Sequence, residues 1–247
     1  LHYPYYAHGL ANVIASRGSD FTGIVNGINM KLFDPATNAN LAQHYDVTTM
    51  REGKAANKLA LQQRLGLPED RDTALLVMVT RLAGHKGIDL LCYIGERLMQ
   101  RRVQLLVIGT GEEKYEWFLQ YLQDRFRGRA AACLEFDPQK ANLAYAGADI
   151  YLMPSKSEPC GLSQIIAMRF GTVPVVNATG GLKDTVWPYD PSSEQGRGFT
   201  FQSYNADDFL AAIDRSLQLF YDEPEKWARL SEADMSIDSS WKLPAWK

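Results

Sequence analysis

Apolar runs of four to six residues recur through the middle of the chain, and segments with helical periodicity separate them. A run that is apolar at every position is typical of a strand buried on both faces of a parallel sheet. The predicted strands span residues 75–79, 103–108, 131–136, 150–153, 173–176 and 198–201. The predicted helices that separate and follow them span residues 88–101, 112–127, 139–146, 165–171, 207–220 and 224–235.

This alternation predicts an α/β protein whose core is a doubly wound, Rossmann-like parallel sheet of about six strands between residues 74 and 202. A further helix is predicted at 54–65, with Gly66 as its C-cap, and Gly171 is the predicted C-cap of the helix at 165–171. Residues 22–29 predict a short strand closed by a turn. In sheets of this kind ligands bind outside the carboxyl ends of the strands, so the segments after the strands are the place to look for chemistry.

Composition and charge exclude several classes of protein. The chain has 247 residues, a net charge of −3 and no run of Lys or Arg longer than two, which argues against a nucleic-acid-binding surface. Its apolar runs are far too short to span a bilayer. The three cysteines are scattered, and neither they nor the four histidines show metal-ligand spacing, so a reduced, cytoplasmic protein without a metal is expected.

The segment after the first strand holds two cations, Arg81 and Lys86, in a loop that also contains Gly84 and Gly87. Arginine offers a bidentate fork and lysine a compact point charge, so this pair is suited to clamp a diphosphate. The alternative interpretation is a pair of solvated charges without a ligand.

The segment after the fourth strand, residues 155–164, carries one carboxylate, Glu158, and leads into a helix. The first amides of that helix lack internal partners and carry the positive end of its dipole. A carboxylate beside such amides suits a sugar hydroxyl on one side and an anion on the other. An ordinary strand–turn–helix with a solvated glutamate is the competing interpretation.

Three other strand ends carry weaker signals. Gly109 and Gly111 follow the second strand, but the third glycine of a dinucleotide fingerprint is missing, which argues against a nicotinamide dehydrogenase. Phe136, at the end of the third strand, is either a stacking residue for a nucleobase or part of the core. The glycines within residues 179–182, after the fifth strand, either expose amides to phosphate oxygens or form a plain turn. The chain has no GxxxxGK phosphate loop, which argues against an NTPase.

Four segments together resemble the bacterial glycogen synthase and plant starch synthase family. They are Val25-Asn26-Gly27-Ile28, Arg81-x4-Lys86-Gly87, Ser157-Glu158-Pro159-Cys160-Gly161-Leu162 and Thr179-Gly180-Gly181-Leu182-x-Asp184-Thr185-Val186. The likeness runs from about residue 9 to residue 235, and its EPCGL and TGGLxDTV segments are highly specific. It implies a GT-B glycosyltransferase made of two Rossmann-like domains, of which this chain is similar to the C-terminal, donor-binding half.

The resemblance implies roles for individual residues. Arg81 and Lys86 match the pair that grips the donor's phosphates, and Glu158 matches the carboxylate that contacts the donor glucose, so these three are the predicted catalytic residues. The predicted donor-binding residues are Gly109, Gly111, Phe136, Cys160, Gly161, Leu162, Thr179, Gly180 and Gly181. Two positions depart from the family pattern: Asn29 replaces an aspartate, and Ile166 occupies the second acidic position of the Glu-x7-Glu pattern, which is often non-acidic in the glycogen synthase branch.

The implied reaction transfers glucose from ADP-glucose, or UDP-glucose, to the non-reducing end of an α-1,4-glucan with retention of configuration. It requires no cofactor or metal, because Arg81, Lys86 and helix amides supply positive charge at the leaving diphosphate. We expect residues 1–22 to be a remnant of an N-terminal GT-B domain and linker, 23–235 to form the nucleotide-sugar-binding domain, and 236–247 to be a truncated tail. The chain alone is then expected to be inactive. The expected location is the bacterial cytoplasm, or the plastid in a plant.

Two other classes of protein remain alternatives. One is a GT-B transferase that uses another nucleotide-sugar and a small acceptor, against which the EPCGL segment argues. The other is a non-catalytic nucleotide-sugar-binding module that evolved as a single domain. The start without methionine and the isolated amphipathic segment at 9–17 favour a piece of a two-domain enzyme over that module.

Overall fold

A six-stranded parallel sheet runs through the middle of the computed structural model, which describes residues 9–20, 22–135 and 137–242. The strands are β1 (Ala74–Val79), β2 (Val103–Ile108), β3 (Ala130–Cys133), β4 (Ile150–Met153), β5 (Val173–Asn177) and β6 (Phe199–Phe201). They lie in the order β3-β2-β1-β4-β5-β6, and every neighbouring pair is parallel. This order is that of a doubly wound dinucleotide-binding sheet, so the predicted fold class is confirmed.

Helices cover both faces of the sheet. They are α1 (Ala11–Ala15), α2 (Met50–Leu65), α3 (Ile88–Leu98), α4 (Glu113–Arg125), α5 (Pro138–Gly147), α6 (Ser163–Arg169), α7 (Gly180–Thr185), α8 (Ala206–Asp222) and α9 (Pro224–Met235). One core lies under α3, α4 and α8, and the other lies under α2, α5 and α6. No helix in the described ranges is both long enough and apolar enough to cross a membrane.

Each strand serves both cores because its side chains alternate between the faces. Leu76 and Met78 of β1 lie in the core under α3, whereas Leu75 and Val77 lie in the core under α2. All four side chains are at most 1% exposed. This burial on two sides explains why the strands are apolar at every position and could be located from sequence.

Two predicted helix ends are confirmed by their backbone geometry. Gly66 and Gly171 have φ of 65° and 70°, in the left-handed region where glycine carries no Cβ penalty. After α6, the amide of Thr172 donates to the carbonyl of Ala167 at 2.9 Å, which closes the helix in a Schellman arrangement.

Three local predictions differ from the structure. Residues 22–29 form no strand; Ile28 makes a single bridge with Ser240, and its amide donates to the carbonyl of Ser239 at 2.8 Å. The segment therefore pairs with the far end of the chain, which no local pattern encodes. β3 ends at Cys133, and the predicted stacking residue, Phe136, lies outside the described residues. The glycines of residues 179–182, predicted to form a turn that either exposes amides to phosphate or has no ligand, instead begin a short helix, α7.

Candidate active site

The strand order reverses between β1 and β4, and the loops that follow these two strands lie side by side. The amide of Lys156, after β4, donates to the carbonyl of His85, after β1, at 2.9 Å. A Cβ on Gly87 would come within 2.2 Å of the carbonyl oxygen of Pro154, so only glycine permits this approach. The crevice at such a reversal is the usual ligand site of an open α/β sheet.

Two predicted catalytic residues meet in this crevice. Lys86 Nζ donates to Glu158 Oε2 at 2.7 Å, and the side chains are 22% and 11% exposed. Because a lysine ammonium has three donors, the ion pair leaves two of them for other acceptors. The pair therefore fixes a cation and a carboxylate at one point between the two loops.

The third predicted catalytic residue, Arg81, stands where two pockets adjoin. The larger pocket has a volume of about 590 Å³ and the smaller about 200 Å³, and Thr80, Arg81 and Ser163 contribute to both. Lys86 lines the smaller pocket. The Arg81 guanidinium is exposed, with its Nη2 3.4 Å from Nε2 of His85, so its fork is available at the junction.

The larger pocket is mainly apolar, and its volume is within the range of small-molecule binding pockets. Phe33, Val79, Ile108 and Ile166 contribute apolar walls, and polar groups come from Ser163 and from the following residues: Thr80, Arg81, Thr110, Asp137 and Asn142. Ile166 thus presents a hydrocarbon side chain at the position where the Glu-x7-Glu pattern has its second acid. Asp137 is the N-cap of α5 and accepts hydrogen bonds from the amides of two residues in that helix.

Gly109 and Gly111 allow the loop after β2 to lie against the loop that carries Arg81. A Cβ on Gly109 would be 1.7 Å from the carbonyl oxygen of Thr80, and one on Gly111 would be 2.1 Å from that of Leu82. The amide of Leu82 also donates to the carbonyl of Thr110 at 2.9 Å. These contacts account for both glycines by packing, and Gly109 also lines the larger pocket.

Gly180 and Gly181 allow the start of α7 to lie against the loop that carries Glu158. A Cβ on Gly180 would be 2.1 Å from the carbonyl oxygen of Glu158, and one on Gly181 would be 2.4 Å from the Cα of Cys160. The amide of Gly181 donates to the carbonyl of Glu158 at 3.0 Å. The two segments that carry the family resemblance most specifically are therefore packed backbone to backbone, with Thr179 directly before α7.

The backbone of the Cys160–Leu162 segment is fixed by the side chain of Gln164, a residue that was not predicted from the sequence. Gln164 is fully buried, and its Nε2 lies 3.1 Å from the carbonyl oxygens of both Cys160 and Gly161 and 3.0 Å from Oγ1 of Thr185. Gly161 has φ of 74°, while Leu162 precedes α6 and is exposed. The sulfur of Cys160 accepts from the amide of Asn26 at 3.3 Å, which joins this loop to the chain's first segment. A buried amide side chain within an otherwise apolar helix was the available signal.

Two further residues that were not predicted from the sequence, Tyr204 and Glu112, form hydrogen bonds with the loop that carries Lys86. Tyr204 donates to Oδ1 of Asp89 at 2.5 Å, and its hydroxyl oxygen lies 3.1 Å from the carbonyl oxygen of Gly84. Burial and the neighbouring carboxylate raise the pKa of Tyr204, so it stays a neutral donor. The amide of Gly84 donates to Oε1 of Glu112 at 3.1 Å. Tyr204 follows β6, 120 residues along the chain from Gly84, so only the tertiary structure reveals this contact.

Comparison with known proteins agrees with the fold. Residues 61–233 match the family described as Glycosyl transferases group 1. The match covers most of the chain, and the chain therefore belongs to the group 1 glycosyl transferases.

Within that family the chain is similar to glycogen synthases. It is 45% identical to a glycogen synthase of Exiguobacterium sibiricum over 238 residues, which is 96% of this chain and 49% of that protein. A glycogen synthase of Thermotoga petrophila is 43% identical over 97% of this chain and 49% of its own length. The chain thus spans about half the length of the curated relatives it matches.

A solved structure gives the same result at the level of the backbone. The catalytic domain of starch synthase IV from Arabidopsis thaliana, bound to ADP and acarbose, superposes with a TM-score of 0.93 at 31% identity. The superposition covers 99% of this chain and 51% of that one.

Proposed function

We propose that the chain is the donor-binding half of a retaining glucosyltransferase of the glycogen and starch synthase type. It transfers glucose from ADP-glucose, with UDP-glucose as the other candidate, to the non-reducing end of an α-1,4-glucan. The observation that carries the proposal is the pair of adjoining pockets with Arg81 at their junction and Lys86 in the smaller one. A nucleotide-sugar consists of a nucleoside, a diphosphate and a sugar in that order. We match the nucleoside to the larger pocket, the diphosphate to Arg81 and Lys86, and the sugar to the neighbourhood of Glu158.

The charges at the junction suit departure of the diphosphate. As the bond between glucose and diphosphate breaks, negative charge grows on the leaving oxygens, and Arg81 and Lys86 stabilise it. A single preorganised donor to a developing oxyanion contributes about 2.7–4 kcal/mol in the transition state. Glu158 keeps the Lys86 ammonium in place and offers its second carboxylate oxygen to a sugar hydroxyl.

The larger pocket is proposed to hold the nucleoside. Its apolar walls favour the faces of a base, and the starch synthase relative that superposes on this chain is bound to ADP and acarbose. Phe136 as a stacking residue, and the amides of residues 160–162 and 179–181 as donors to phosphate, remain predictions. The same proposal includes an α-1,4-glucan as the acceptor and an N-terminal GT-B domain as the other half of the enzyme. It also includes a location in the bacterial cytoplasm, or in the plastid of a plant.

The test is calorimetric titration of the chain with ADP-glucose and with UDP-glucose. We expect Lys86→Ala to weaken donor binding at least tenfold, a loss of about 1.4 kcal/mol, while the melting temperature changes little. Lys226→Ala is the matched control, since Lys226 also forms an ion pair, with Glu223, and lines neither of the two pockets. Unchanged binding by Lys86→Ala together with a large drop in melting temperature would remove Lys86 from the site.

A further inference from the structure

Three aromatic side chains stand exposed on the outer faces of two neighbouring helices. Tyr93 of α3 is 70% exposed, and Trp117 and Tyr121 of α4 are 62% and 46% exposed. Every other exposed residue of these two helices is charged or a glutamine, and none is aliphatic. None of the three aromatic residues lines the donor pockets.

The two helices run parallel, because each connects consecutive parallel strands, and they are in contact. A Cβ on Gly95 would be 2.7 Å from the Phe118 ring, and the Tyr121 hydroxyl donates to the Glu96 carboxylate. Tyr93 precedes Glu96 by three residues and Trp117 precedes Tyr121 by four. At a rise of about 1.5 Å per residue, the positions of the three aromatic residues along the two helix axes therefore differ by roughly one helical turn.

The composition of this surface fits a carbohydrate. Single exposed apolar residues are ordinary, but three aromatic rings on one patch indicate a binding surface. Tyrosine and tryptophan join a flat apolar face to a polar edge, which matches a pyranose ring with its C–H face and its rim of hydroxyls. Arg125 Nε lies 3.4 Å from Glu96 Oε1, so donors and acceptors for hydroxyls stand beside Tyr121.

We propose that Tyr93, Trp117 and Tyr121 form a glucan-binding surface, separate from the donor pockets, that holds an α-1,4-glucan chain. The identity of this ligand rests on the proposed function, since a glucan is the acceptor of that reaction. A protein partner is less suited to the surface, because the buried centre of a protein interface is depleted in charged residues, whereas the other exposed residues of α3 and α4 are charged or glutamine.

The proposed glucan-binding surface lies close to the crevice. α3 begins at Ile88, directly after Lys86 and Gly87, and α4 begins two residues after Gly111, so both helices start at the rim of the crevice. Tyr93 and Trp117 are five and four residues from these starts, or about 6–8 Å along the helix axes. A glucan held there keeps its chain ends near the crevice, which raises their effective concentration.

The test is native affinity electrophoresis of the 247-residue chain in gels with and without soluble glycogen. We expect glycogen to retard the wild-type chain and the Trp187→Ala control, which removes another exposed tryptophan. The double variant Tyr93→Ala, Trp117→Ala should require at least tenfold more glycogen for the same retardation. Its titration with ADP-glucose should match that of the wild type.

Equal retardation of the double variant and the wild type, or no retardation of either, would overturn this site whatever the ADP-glucose titration shows. That titration tests the proposed function separately. Sedimentation that reveals a dimer dissociated by Trp117→Ala, without glycogen binding, would also overturn it in favour of a protein interface. If the double variant melts markedly lower, the single Trp117→Gln variant decides by the same retardation.

Discussion

The carboxylate of Asp234, on α9, is buried. Its side chain is 1% exposed, and neither oxygen has a partner among the residues that the structure describes. Burial raises the pKa of Asp234 well above its ordinary value, and the positive charge of Arg197 offsets only part of that effect. Burial therefore favours the neutral form of this carboxyl, and this costs stability when the solvent is neutral.

We expect Asp234→Asn to stabilise the chain at pH 7. A carboxyl whose pKa is raised on folding binds a proton that the unfolded chain releases, so the free energy of unfolding falls as pH rises above about 4. The asparagine lacks this dependence. Its advantage should grow by about 1.4 kcal/mol per pH unit while Asp234 remains protonated.

Thermal melts of both proteins at pH 4, 5.5 and 7 measure this difference. The difference should be smallest at pH 4, because there about half of the unfolded chains also keep this carboxyl protonated. Ser236→Ala serves as the control, because Ser236 is exposed and lies two residues away on the same segment. A stability difference that does not change with pH would show that Asp234 is ionised in the folded protein.

At the scale of elements, the site depends on loops that support each other through backbone contacts. The loop that carries Glu158 rests on the start of α7, and the loop that carries Arg81 rests on the segment after β2. Each contact brings backbone atoms so close that a Cβ has no room. The position of the side chains predicted to be catalytic therefore depends on glycines that need not touch a ligand.

Gly181→Ala tests this dependence, because its Cβ would meet the backbone of Cys160 at 2.4 Å without any positive φ to add strain. We expect a loss of about 1–3 kcal/mol in the free energy of unfolding from overpacking, measured by urea denaturation. We also expect ADP-glucose binding to weaken at temperatures where the variant is folded.

Gly23→Ala is the matched control, since a Cβ at Gly23 meets nothing within 4 Å and its φ is not in the left-handed region. It should leave stability and binding as they are in the wild type. An equal effect of both substitutions on unfolding would contradict the packing role of Gly181.

In the molecule as a whole, side chains around the candidate site are open to solvent. Arg81 is exposed, and Val25 and Leu162, which flank the contact between Asn26 and Cys160, are exposed apolar side chains. Glycosyl transfer requires water to be excluded from the reacting centre, usually by closure of two domains. The chain spans about half the length of its curated relatives, so we propose that the other half completes the site.

We therefore expect the 247-residue chain to bind donor weakly and to elongate no glucan. Incubation with radiolabelled ADP-glucose and maltoheptaose, followed by separation of the products by length, measures the activity. The glycogen synthase of Exiguobacterium sibiricum, assayed alongside, is the positive control. Sustained elongation by the chain alone would show that the second half is dispensable.

Local patterns located all six strands and most helices, because strands buried on two faces are apolar throughout and helices repeat every three to four residues. They failed where a segment depends on a distant one. Residues 22–29 pair with Ser240, and α7 is held by the Glu158 carbonyl, so neither carries a local signal. Tyr204 was missed for the same reason, because its partners Gly84 and Asp89 are 120 and 115 residues away. Gln164 was missed although the carbonyls that it contacts, those of Cys160 and Gly161, are only four and three residues away.

Local sequence patterns were sufficient to predict the α/β class, the helices and strands, and the loops that carry charged residues and glycines. These properties follow from hydrophobic periodicity and backbone freedom, which act over a few residues. Which loops meet depends instead on the arrangement of the strands in the folded sheet. Lys86 and Glu158 are 72 residues apart, and they form an ion pair because β4 lies beside β1 in the sheet. Strand order depends on the packing of the whole chain, so the site exists only once the sheet has formed.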